Sequence, residues 1–365
     1  MRGRDGFARL LVEYCTDVKV KDDVVISSSY EAFPLVREVY RYTVEKGGYP
    51  LVRIRDELLD EMFYRYAPQD LLMYLSPLEE AFMKEADVLI SIISPTHTKP
   101  LISIDPERIK IRSMATRRLT EIFMERDGMG DLRWVVTAYP TRAFAQEAGM
   151  SIIEAEDFIY EALKLHTSDP VAEWRRQAEW QDKIVELLSK VSELRIESDN
   201  TMLSLNVHGR RWISDDGKKN MPGGEVFTGP HEDSIEGYIT FEYPAVWRGI
   251  EIEGVKLEFK RGVVVKASAL KGEEYLKALL ETDEGARRVG EFAFGLNYDI
   301  KRHTKNVLFD EKIGGTMHMA LGASYPVTGG TNKSSIHWDI VKDMRNARVY
   351  ADGDLIYENG RFIGV

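Results

Sequence analysis

A chain of 365 residues with 44% hydrophobic side chains can bury more than one core, so two domains are expected. Its formal charge of -11 excludes a broad phosphate-neutralising face, and with it a nucleic-acid partner. The one cysteine, Cys15, excludes an internal disulfide, no long apolar run spans a membrane, and no signal-type leader opens the chain, which together predict a cytoplasmic protein.

Taken in order, residues 6–18 (GFARLLVEYCTDV) have helical spacing, and Val24-Val25-Ile26 reads as a short buried strand running into Ser27-Ser28-Ser29. Residues 33–46 are helical up to Gly47-Gly48, and 50–55 supply a second strand. Strand, helix, strand is a parallel crossover unit. Residues 86–93 (ADVLISII) form a further strand, and 134–137 another after a helix over 107–126. Residues 1–170 are therefore assigned to an α/β N-terminal domain with a parallel sheet. Neither a GxGxxG nor a GxxxxGK[ST] pattern appears, so no nucleotide site is expected there.

Residues 152–165 and 171–191 are helices separated by HTSDP, in which Asp169 is the expected N-cap and Pro170 the first helical position. Residues 171–193 are the connecting helix, with Trp174 and Trp180 as packing residues. From residue 194 to 365 the segments become short and alternate with period two (LRIES, TMLSLNV, EGYITFEYPAV, GIEIEG, VKLEFKRGVVVKASA), which indicates antiparallel sheet. Helices are expected at 273–280 and 284–289, and tight turns at Asp352-Gly353 and Asn359-Gly360. This half is an α+β C-terminal catalytic domain with mostly antiparallel sheet.

The chemistry concentrates in residues 309–339, FDEKIGGTMHMALGASYPVTGGTNKSSIHWD, which carry Asp310, Glu311, His318, His337 and Asp339 among glycines. That composition predicts loops closing on a ligand. If His337-Trp338-Asp339 lies on a strand, its histidine and aspartate share a face. His318, His337 and Asp339 suit a divalent metal, and equally a mononuclear iron. Glu225, entering a strand from a Pro/Gly-rich turn, and Glu291, in the otherwise apolar GEFAFGLN, add more anionic ligands than one zinc takes, which suits two metals.

GEVFTGPHEDSIEG, GEFAFGLN, FDEKIGGTMHMALG and NKSSIHWD, in that order, resemble the thermophilic-type metalloaminopeptidases, the family of aminopeptidase T and aminopeptidase S. The resemblance implies a peptide-hydrolysing homodimer with two divalent ions per chain, zinc, cobalt or manganese. It places metal ligands at Glu225, Glu291, His318, His337 and Asp339, with Glu311 as a further one and Tyr325 as an active-site tyrosine. Glu291 is then a bridging ligand or the base that takes the water's proton, and Tyr325 a donor to the oxyanion. The family also looks distantly similar to a ring-cleaving dioxygenase of dihydroxypyridine degradation, whose single iron would fit His318, His337 and Asp339. A non-catalytic binding protein on the same fold is a third reading. Glu225 and Glu291 favour the peptidase, since a single-iron site has no use for them. His231 reads as a surface residue, His97 as a loop residue, and His208 and His303 as structural.

Overall fold

The computed structural model describes residues 3–247 and 249–365, and the chain divides into two compact units. The first runs to Glu173 and includes Gly217–Met221; the second comprises Trp174–Asp216 and Pro222–Val365.

In the first unit the expected strands align in parallel in the order Tyr49–Ile54, Asp23–Ser28, Val88–Ile93, Arg133–Ala138. Val24, Ile26, Val88, Ile90 and Val135 are fully buried, which is why these apolar runs sit in the middle of a covered sheet. Between strands the helices begin where short polar side chains can hold free backbone N–H groups. Asp105 caps Pro106–Met129, and Ser151 with Glu154 closes a capping box on Ile152–Ala162. Asp169 Oδ1 accepts from the Ala172 N–H at 3.3 Å ahead of Pro170–Leu188, as the HTSDP segment predicted. One strand departs from expectation. Asn220–Met221, read from sequence as part of a turn, pairs in parallel with Val136 and Thr137 at the sheet's edge. Two residues carry no periodicity from which a strand can be read.

The second unit holds two larger antiparallel sheets. One runs in the order Val263–Ser268, Lys256–Lys260, Glu236–Thr240, Thr201–Asn206, Glu193–Ser198, Arg348–Ala351, Asp354–Glu358, Arg361–Phe362. The turns at Asp352-Gly353 (φ 49° and 99°) and Asn359-Gly360 (φ 53° and 78°) have both central residues left-handed, the geometry that matches the twist of a hairpin. The other sheet runs His337–Asp343, Thr316–Gly322, Val289–Gly295, Glu225–Thr228, Ile213–Asp215. Its inner face supplies Val226, Phe292, Phe294, Met317, Met319, Leu321, Trp338 and Ile340 to an apolar core shared with Ile196, Leu203, Leu205, Ile239 and Val349 of its companion. The fold class is the expected one: a parallel α/β unit followed by a mostly antiparallel α+β unit.

Candidate active site

Alternation decides what the outer face of the second sheet carries. With Phe292, Phe294, Met317, Met319, Leu321, Trp338 and Ile340 turned to the core, Glu291, His318, His337 and Asp339 must point the other way. The register then brings them together. Glu291 and Asp339 flank Ala320, His318 lies beside Ala293, His337 beside Gly322, and Glu225 beside Gly295 and Asp215. Each of these ionisable side chains has an alanine or glycine next to it in register, which leaves room for them to converge, with Phe227 and Val341 as the larger apolar neighbours on that face. Gly295 admits no substitute, since a Cβ there would lie 2.2 Å from the Ile313 carbonyl oxygen. His318, among glycines that read as loop, sits on a strand instead, and His337-Trp338-Asp339 lies on one too, the case in which its histidine and aspartate share a face; the glycines make room beside them.

His318 Nε2 is 3.2 Å from Glu291 Oε1, 3.7 Å from Glu225 Oε2 and 4.0 Å from Asp339 Oδ1. His337 Nε2 is 3.4 Å from Glu291 Oε2 and 3.6 Å from Asp339 Oδ1. Its Nδ1 donates to the Ala323 carbonyl at 2.8 Å, which fixes the ring with Nε2 toward the cluster. Glu311 arrives from the end of the short helix Val307–Asp310. Ligand-type atoms of Glu225, Glu311 and His318 all lie within 4.8 Å of one another. Tyr325, on the connection between the two histidine strands, sets its ring 5.0 Å from that of His337 and 5.8 Å from that of Phe227. That connection is held at both flanks: Asp283 accepts from Ser334 and Ser335, and Glu232 from Thr331.

The concentration of carboxylates dominates the electrostatics. Burial works against charge on His318, but hydrogen bonding to Glu291 and the charges of Glu225 and Glu311 carry it up to about 10. His337 rises to about 9 against the same opposing burial, through Glu291 and Asp339. Burial lifts the Glu225 carboxyl to about 7, with Lys312 and His318 pulling the other way. Asp339 is pushed well up by burial and by Glu311. Burial acts likewise on Glu291, yet its two imidazole partners bring it down to about 2. Burial, then the charges of Glu291 and Asp339, raise the Tyr325 phenol, which keeps its proton.

Two residues in the cluster were not legible as site residues. Lys312, fully buried, places Nζ 2.6 Å from Glu311 Oε2, 3.0 Å from Glu225 Oε1 and 3.7 Å from Asp215 Oδ2. Its one sequence signal is its place directly after Asp310-Glu311, the last Lys, Arg, Asp or Glu before Lys333; Asp215 has none. Gln181, reaching in from Pro170–Leu188, donates to Ser214 Oγ and to the Asp215 and Glu225 carbonyls, which anchors the strand ends that carry both acids. Asp310, by contrast, stays out: it accepts from Thr304 and faces His303 Nε2 at 3.1 Å, a structural pair. His231 bridges Arg210 and the His208 carbonyl, and His97 accepts from the Lys99 N–H in an exposed loop.

The donor set fits a divalent metal. It consists of carboxylate oxygens and imidazole nitrogens without thiolate, and Glu225 Oε2 is buried with no hydrogen-bond partner among the described residues. A buried, unpartnered carboxylate oxygen facing an imidazole nitrogen is the kind of donor that a divalent cation takes.

The chain superposes on the solved structure of wild-type AmpT from Thermus thermophilus with a TM-score of 0.85, covering 99% of each chain at 25% identity. It is similar to Aminopeptidase 2 of Geobacillus stearothermophilus, 27% identical over 97% of this chain and 98% of that one. Aminopeptidase T of Thermus thermophilus is 26% identical over 98% of this chain and 96% of its own. Residues 4–362 match the family described as thermophilic metalloprotease (M29), and the chain belongs to that family.

Proposed function

We propose that this protein is a metal-dependent aminopeptidase whose cluster holds two divalent ions, zinc, cobalt or manganese, and removes N-terminal residues from peptides. The observation that carries the reading is the convergence of Glu225, Glu291, His318, His337 and Asp339 from neighbouring strands onto one glycine- and alanine-lined face, with Glu311 closing the set. Family membership supports the peptidase over the dioxygenase and over a non-catalytic protein. Such ions, when bound, lower the pKa of a water and polarise a carbonyl. The residues supply the rest. Glu291, between two imidazoles, would either help hold the ions or accept the attacking water's proton at a carboxylate oxygen and return it to the leaving amine. The surplus of carboxylates attracts the cationic α-amine that marks a peptide's N-terminus. Tyr325, protonated and beside His337, donates from its hydroxyl to the oxyanion of the tetrahedral intermediate.

The deciding experiment is elemental analysis of the purified protein combined with hydrolysis of leucyl-nitroanilide and its N-acetylated analogue. Two metal equivalents and cleavage of the free-amine substrate alone are expected; equal cleavage of both substrates would make it something other than an aminopeptidase. Tyr325→Phe, which keeps the ring and removes one donor, should lower turnover roughly a hundredfold with little change in metal content. Unchanged turnover would demote Tyr325 to a wall residue.

The proposal extends to a cytoplasmic homodimer, with catalysis in residues 194–365. Leu58, Leu59 and Tyr66 lie exposed on the Glu57–Tyr66 helix, an apolar patch of the kind a symmetric interface covers. A monomeric mass by light scattering would remove the dimer and leave the chemistry untouched.

A further inference from the structure

We propose that Lys312 is a built-in cation of this centre, a positioning residue that sets how much divalent charge the carboxylates accept and which of their oxygens face it; the inference rests on the two-metal reading above. An ammonium as deeply buried as that of Lys312, 1% exposed, persists only where acids surround it. Here there are three, Glu311, Glu225 and Asp215, at 2.6, 3.0 and 3.7 Å. Its contacts engage Oε1 of Glu225 and Oε2 of Glu311. Glu225 Oε2 is thereby left turned toward His318 Nε2, 3.7 Å away and without a hydrogen-bond partner among the described residues. Glu225 thus has one oxygen tied to the lysine and the other left for a cation, and Glu311 has its Oε2 tied in the same way, so Lys312 would favour binding through a single oxygen of each.

Charge gives the same answer. Asp215, Glu225, Glu291, Glu311 and Asp339 bring five carboxylates to the cluster, and both imidazoles must be neutral to coordinate. Lys312 offsets one, leaving the four negative charges that two divalent cations neutralise. Asp215 fits this account without being a ligand: it faces the ammonium and lies opposite Glu225 in register. An ammonium has no lone pair, so a search for metal ligands passes over the residue that completes the balance.

The test uses Lys312→Met and Asp215→Asn in the full chain. Zinc ion is the probe, with its dissociation constant measured by competition against a chromophoric chelator and melting followed with and without zinc. Removing the cation makes the cluster more negative, so Lys312→Met should bind zinc about tenfold more tightly or beyond, and should lose more melting temperature metal-free than zinc-loaded. Asp215→Asn changes the charge the other way and should bind zinc more weakly. A lysine that merely supports the fold predicts otherwise: equal melting losses in both states, or affinities that move in the same direction in both variants. Either result overturns the proposal. If Lys312→Met does not fold, an Asp215→Asn affinity equal to that of the wild type overturns it alone. A wild type that binds no stoichiometric zinc, cobalt or manganese instead removes the metal reading itself, a result distinct from any failure of Lys312.

Discussion

Dialysis against a chelator is expected to abolish hydrolysis of aminoacyl-nitroanilides, and zinc, cobalt or manganese to restore it. The reason lies in what the cluster does without an ion. His318 and His337 then hold protons up to about 10 and about 9, and Glu225 up to about 7, so the nitrogens whose lone pairs would hold an ion carry protons instead. Coordination must expel these protons, so metal affinity rises with pH, by as much as about tenfold per pH unit for each proton released. A chelator should therefore strip the protein far more readily at pH 6 than at pH 8. The linked stability runs in the opposite sense for the metal-free form. Both imidazoles titrate higher in the folded chain than the ordinary value near 6.5, so their contribution is complete below that pH and is lost as pH rises through about 9 and 10. The melting-temperature gain on adding zinc should consequently widen from pH 6 to pH 9. Full activity in protein shown by elemental analysis to be metal-free, or a zinc-induced gain that shrinks with pH, would rule this out.

Glu291→Gln is expected to lower turnover by about a thousandfold, the scale of losing a positioned acid or base together with a ligand charge. The substitution is nearly isosteric, which matters at a strand position that is 4% exposed, and the side chain can still accept a hydrogen bond from one imidazole. What it cannot do is carry charge or take a proton. Glu291 is also the acid that both histidines share, at 3.2 and 3.4 Å, so its loss should drop the imidazole pKa values toward neutrality in the metal-free form. Histidine titration by NMR would show this independently of activity. If turnover stays within about tenfold of wild type while metal content is full, Glu291 is neither base nor essential ligand, and the proton must go elsewhere.

Much of this protein is determined locally. Apolar runs punctuated by helices foretell the parallel sheet, because a buried strand needs continuous Val, Ile and Leu and a crossover needs a helix to return the chain. Alternate strand residues share a face, so His337 and Asp339 are bound to point together once HWD is a strand; that His318 joins them was not legible, because the glycines around it read as loop until Thr316–Gly322 paired with both neighbours. The paired left-handed turns at 352–353 and 359–360 were legible, since their Asp-Gly and Asn-Gly pairs accept that backbone. Tertiary structure decided the rest. Asp310 and Glu311 are adjacent in sequence, yet one turns to His303 and the other to the cluster, because the end of the short helix Val307–Asp310 sends successive side chains in different directions. Asp215 and Lys312, nearly a hundred residues apart, meet only because antiparallel pairing sets Ile213–Asp215 against Glu225–Thr228 and that strand against Val289–Gly295. A residue's type and spacing can mark it as a ligand. Whether a lysine is a solvated surface charge or the buried counter-charge of an active site depends on which strands lie beside it, and that is fixed by long-range register.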